Sequence, residues 1–64
     1  SHDALQYENL TATEHDGKHY ISATFSDHRT IEERISDIDW LRFSQKEVSL
    51  QDLADTYFAF LKMG

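Results

Sequence analysis

Apolar and polar positions alternate strictly through two runs near the start of the chain. Leu10, Ala12, Ile21, Ala23 and Phe25 form one set, and Thr11, Thr13, Tyr20, Ser22 and Thr24 fall between them. A period of two is the pattern of strands with one buried and one solvated face. Between the runs stand Asp16 and Gly17. A type I′ turn needs positive φ at both central residues, and Asp-Gly supplies it. The pattern predicts a β-hairpin whose two-residue loop pairs His15 with Lys18, Ala12 with Ile21 and Leu10 with Ala23. The face carrying Thr11, Thr13, Tyr20, Ser22 and Thr24 is left open to solvent or to a partner.

Beyond Phe25 the period changes. Thr30-Ile31-Glu32-Glu33 matches a capping box, with Thr30 as the cap and Glu33 reaching back to it. Ile31, Ile35 and Ile38 follow at i, i+4 and i+7, which predicts a short helix over residues 31–38. Asp39-Trp40-Leu41-Arg42-Phe43-Ser44 is short and aromatic-rich, and Leu41 and Phe43 alternate, so it reads as a third strand with both facing the core. Ser49 then offers a second helix cap, with Asp52 near the positive end of the helix dipole. Leu50, Leu53, Ala54, Tyr57, Phe58 and Leu61 recur at helical spacing, and Gly64 is a natural stop. The expected architecture is α+β, a small two-layer β-β-α-β-α domain. An antiparallel hairpin and a third strand form its sheet, and two helices lie on one face.

Composition narrows the classes. With 64 residues the chain is a single domain, 1–64, and one of this size buries only about 60% of the surface its unfolded form exposes. It has no Cys, so neither a disulfide nor a thiolate zinc site can supplement the core. Eight aromatic residues and a hydrophobic share of 39% argue for a packed core rather than disorder. Twelve Asp and Glu against six Lys and Arg give a net charge of −6, the reverse of what a phosphate backbone attracts, so nucleic acid is not an expected partner. No apolar run approaches the length of a membrane span. Ser1 in place of Met reads as either a processed chain or, the favoured reading, a piece of a longer one, with Ser1 and His2 left from a tag.

Candidate chemistry is sparse. His15-Asp16-Gly17-Lys18-His19 is the one cluster with metal-ligand residue types, but alternation sends His15 and His19 to opposite faces, and His2 and His28 do not join them. Carboxylate pairs could be drawn from Glu32, Glu33 and Asp37, which as neighbours on a helix surface are simply solvated. The Gly-x-Ser-x-Gly elbow, His-Glu-x-x-His and the phosphate-binding Gly-rich loop are all absent. The expectation is a protein that is not an enzyme and takes no cofactor. Tyr7, Tyr20, Trp40 and Phe60 are aromatics beyond the core stripes, which either meet a partner or close the ends of a small core. Tyr20 on the polar sheet face is the strongest contact candidate, with Thr11, Thr13, Ser22 and Trp40 beside it. A nucleic-acid mimic would need an unbroken acidic strip, whereas Arg29, Arg34, Arg42, Lys46 and Lys62 interrupt the carboxylates.

The stretch His19-Tyr20-Ile21-Ser22-Ala23-Thr24-Phe25, the segment 31–38, and Leu41-Arg42-Phe43 running into Val48-Ser49-Leu50-Gln51-Asp52-Leu53 resemble a known accessory region. It is similar to the domain that follows the nucleotide-binding core of many ABC transporter ATP-binding subunits. There a strand and helix are followed by a strand leading into a Pro-Ser-Leu-Glu-Asp helix start. Val48 stands here in place of that Pro, and Gln51 in place of Glu. The resemblance spans about the last two-thirds of the chain and implies a cytoplasmic, non-catalytic accessory domain. An ATPase core would then lie upstream, with a protein partner or a second copy as the binding target. The alternative is a free-standing acidic binding protein or inhibitor of the phage or mobile-element type.

Overall fold

A computed structural model describes residues 6–63. Ser1, His2 and Gly64 lie outside the described residues. The chain runs β1 (Asn9–His15), β2 (Lys18–Thr24), β3 (Thr30–Ile35), α1 (Asp37–Ser44), α2 (Leu50–Tyr57) and a closing 3₁₀ turn (Ala59–Met63). The strands form one antiparallel sheet in the order β1-β2-β3. The class is α+β as expected, but the order is βββαα rather than β-β-α-β-α.

The first hairpin forms in the predicted register. His15 pairs with Lys18, Ala12 with Ile21 and Leu10 with Ala23. Asp16 and Gly17 take φ of 54° and 76°, as a type I′ turn demands.

The next segment corrects the sequence reading twice. Residues 30–35 are a strand, not the start of a helix, and the apparent capping box is a cross-strand contact in which the Thr24 and Thr30 hydroxyls lie 3.1 Å apart. Ile31, Glu33 and Ile35 also repeat at a period of two, and this register sets Ile31 beside Ala23 and Ile35 beside His19. A lone two-stranded hairpin is marginal in water, so a third strand rich in β-branched residues gains more on the free side of β2 than it would as an isolated helix. The hidden signal was the turn. Phe25 and Arg29 close a three-residue loop in which His28 adopts φ 71°, a place usually given to Gly.

The segment read as a third strand is α1. Ser36 caps it by accepting from the Asp39 N–H at 3.2 Å, and Asp37 and Asp39 in the first turn and Arg42 in the last complement the dipole. Leu41 is 54% exposed and Ile38 70%, so neither serves the core as expected. Trp40 and Phe43, at i and i+3, are the residues α1 turns inward. The helix ends in a Schellman motif, in which the N–H of Glu47 reaches the Arg42 carbonyl at 2.8 Å and that of Lys46 reaches Phe43 at 3.0 Å.

α2 begins where the sequence placed it. Ser49 Oγ accepts from the Asp52 N–H and Asp52 Oδ2 accepts from the Ser49 N–H, both at 3.0 Å. It is shorter than the apolar stripe suggested, since Phe58 caps it and Leu61 belongs to the 3₁₀ turn. Ile21, Ala23, Ile35, Leu53, Ala54 and Phe58 are the buried core, between the inner sheet face and α2. The shortest dimension is 17 Å, the thickness of one sheet and one helical layer.

Candidate functional site

The helical layer covers one side of the sheet and leaves the other bare. Side chains alternate across a strand, so the register places Asn9, Thr11, Thr13 and His15 of β1 on the bare face. Lys18, Tyr20, Ser22 and Thr24 of β2 and Thr30, Glu32 and Arg34 of β3 join them there. Pairing arranges these as rows across the sheet: Thr13, Tyr20 and Arg34 in one, and Thr11, Ser22 and Glu32 in the next. Tyr20 and Ser22, on the central strand, are half-buried, and Thr11 and Thr13 are exposed.

Charge distribution sets this face apart. The molecule carries −6, yet among the residues of this face Glu32 is the single carboxylate, against Lys18 and Arg34. Among the described residues the other carboxylates sit on the helices, the loops and the other strand faces. Arg34 is also drawn toward Asp37 at 3.7 Å.

Trp40 does not belong to this surface. It lies on the helical side, where its ring stacks on His19 with centroids 3.7 Å apart and planes 8° from parallel. Sequence reasoning missed this pair, because reading residues 39–44 as a strand removed the helix that brings Trp40 over β2. His19 is thus turned to the helical side and His15 to the bare side. Among the described residues no three His, Cys, Asp or Glu side chains gather closely enough to hold a metal. His15 approaches Asp16 at 3.5 Å and His28 approaches Glu8 at 3.9 Å.

The remaining aromatics divide. Tyr7 packs on Phe25 and Phe58, with centroids at 5.4 and 6.4 Å, and its hydroxyl donates to Asp55 Oδ1 at 3.3 Å. Burial, then the charge of Asp55 and this bond, push the Tyr7 phenol up to about 12. Phe60 is 52% exposed.

Two further features have chemical character. Tyr57 on α2 accepts the Ser36 N–H at 2.9 Å and donates to Asp39 Oδ2 at 2.7 Å, so one hydroxyl fastens the start of α1. The Tyr57 hydrogen bond is the main reason that the Asp39 carboxyl lies below its ordinary range, with Ser36 and Arg42 assisting against partial desolvation. Between the end of α1 and the start of α2 an open depression of about 740 Å³ is walled by Phe43, Lys46, Val48, Leu50 and Asp52.

No family model, curated protein or solved structure matches this chain. Among the described residues no helix is long and apolar enough to cross a membrane.

Proposed function

We propose that this domain is a non-catalytic accessory module that binds another protein on the bare face of its sheet. The observation that carries the proposal is the composition of that face. It is an array of hydroxyls around one central tyrosine, close to neutral, on a molecule whose net charge is −6. Tyrosine offers a rigid, amphipathic contact with few rotatable bonds, and aromatics are enriched where proteins meet. Thr11, Thr13 and Ser22 would supply the polar contacts around Tyr20. Trp40 lies on the helical side, stacked on His19, and is not counted in this surface.

The test uses a partner recovered with the native protein and identified. Tyr20→Ala should weaken binding at least tenfold while the protein remains folded with a cooperative melting transition, and Phe60→Ala, on the 3₁₀ turn, should leave affinity unchanged. Equal affinity of the Tyr20 variant and the parent would remove the proposal.

A second reading places the module as the tail of an ABC transporter ATP-binding subunit in the cytoplasm, with ATP hydrolysis in an upstream domain. The observation in its favour is the helix start at Ser49-Leu50-Gln51-Asp52, which forms a full capping box. The helix-then-strand succession of that family's ending is not present, because β3 is followed by α1. The mass of the native gene product decides it: several tens of kilodaltons supports this reading, and about the 7.5 kDa of this chain sinks it.

A further inference from the structure

Among the described residues no strand pairs with the outer edge of β1. In a two-residue turn the carbonyl of the first residue accepts from the N–H of the fourth, so His15 and Lys18 are a hydrogen-bonded pair. Bonded and non-bonded pairs alternate along an antiparallel ladder. The bonded set therefore continues through Thr13 with Tyr20 and Thr11 with Ser22. Leu10, Ala12 and Glu14 are left with their N–H and C=O groups directed away from β2, and no described strand lies on that side. Ala12 is the middle one of the three.

We propose that two copies of this chain pair β1 against β1, antiparallel about a two-fold axis at Ala12, joining two three-stranded sheets into one of six strands. Ala12 then faces Ala12 of the second copy, and Leu10 faces Glu14, each forming a bonded pair. Thr11 faces Thr13 in the closer, non-bonded positions, so the hydroxyl-rich face continues across the junction. The lone carboxylates of β1 stay apart, because Glu14 and its copy sit four residues along the strand from each other, about 14 Å.

The other edge of the sheet is guarded against the same event. β3 directs Thr30, Glu32 and Arg34 outward, since Phe25 and Arg29 form the bonded pair that sets its ladder. Self-pairing about Glu32 sets two carboxylates opposite each other. The adjacent register brings two Glu33 side chains together at the closer, non-bonded spacing. Like charges directly opposite are destabilising, and charged edges are a recognised device against strand addition. β1 has neither Pro nor Lys, and its one carboxylate is near its end.

A seven-residue edge buries less than the roughly 1,200 Å² at which stable interfaces begin. Two copies of charge −6 also repel each other. The association is therefore weak, concentration-dependent and strengthened by salt.

The test is sedimentation equilibrium with amide exchange by NMR on the full chain, from about 20 μM to about 1 mM at about 0.15 M salt. The mass should rise from 7.5 kDa toward twice that value. Protection of the Leu10, Ala12 and Glu14 amides should rise in step. Thr11→Lys/Thr13→Lys places like charges opposite each other and should abolish the rise, whereas Thr11→Lys/Thr13→Glu places opposite charges together and should preserve it. Both positions are exposed, and unchanged melting curves will confirm that both variants fold. A single-chain mass at every concentration, amides equally protected at the lowest concentration, or identical behaviour of the two double variants would each overturn the proposal. Tyr20→Ala should leave self-association intact, so failure of the edge and failure of the face are separately visible.

Discussion

Leucines at similar-looking positions have different fates here. Leu53 is 3% exposed in the core while Leu41 is 54% exposed on α1. Leu53→Ala should therefore cost about 2–5 kcal/mol, as buried large-to-small changes do, and Leu41→Ala should stay within about 0.5 kcal/mol, both read from urea unfolding. Tyr7 makes the fold sensitive to alkali. Its phenol is raised to about 12 in the native state, above the ordinary value near 10, so the native state holds its proton when the unfolded state has lost it. The stability this protects is complete below about pH 10 and declines as pH rises toward 12. Tyr7→Phe should flatten the drop in melting temperature across that window. Leu53 was legible from spacing alone. The position of Tyr7 was not, because its partners Phe25, Asp55 and Phe58 are distant in sequence and come together only in the packed molecule.

At the level of elements, local signals succeeded where they were unambiguous and failed where two periods fitted the same residues. Asp16-Gly17 and Ser49-x-x-Asp52 each prescribe one geometry, and both formed. Residues 30–38 satisfied a capping box and a helical stripe, but also a strand of period two, and pairing with β2 decided between them. The true boundary is Ser36, whose cap follows the strand directly. Besides the Asp16-Gly17 turn, two turns are made by residues in the left-handed region, His28 at φ 71° and Lys46 at φ 64°. An L side chain there costs about 1–2 kcal/mol. Lys46 is the left-handed residue of the Schellman motif, so Lys46→Gly should raise stability by about 1 kcal/mol, after allowing for the greater freedom of unfolded glycine. Differential melting of the two proteins checks this. These substitutions mark why the β2–β3 turn was hard to see: the conformation is present, but the glycine that announces it is not.

At the scale of the molecule α1 is one of the loosely held elements. None of its residues is fully buried, and eight residues are too few for an independent helix. It is retained by the Trp40 stack on His19 and by the Tyr57 hydroxyl between Ser36 and Asp39. Tyr57→Phe should cost about 1–2 kcal/mol and selectively lower amide protection in residues 40–44, leaving β2 protected, as hydrogen exchange will show. The same bond makes Asp39 an acid-sensitive point. Its carboxyl lies below the ordinary range when folded, so its contribution is present above about pH 4 and is lost as pH falls through the depressed value. In Tyr57→Phe that acid-dependent loss should shrink.

The sequence by itself determined the first hairpin, its register and turn, the split of its residues between an inner and an open face, and the capped start of α2. Each of these rests on neighbours within a few residues, where turn sterics and cap hydrogen bonds admit one solution. Tertiary structure alone decided that residues 30–35 extend the sheet, that residues 37–44 coil, and that Trp40 turns to His19 rather than outward. Those choices compare a helix with a strand of similar local merit. The balance was set by the unpaired side of β2 and by the apolar surface that Ile35, Leu53 and Phe58 could bury together.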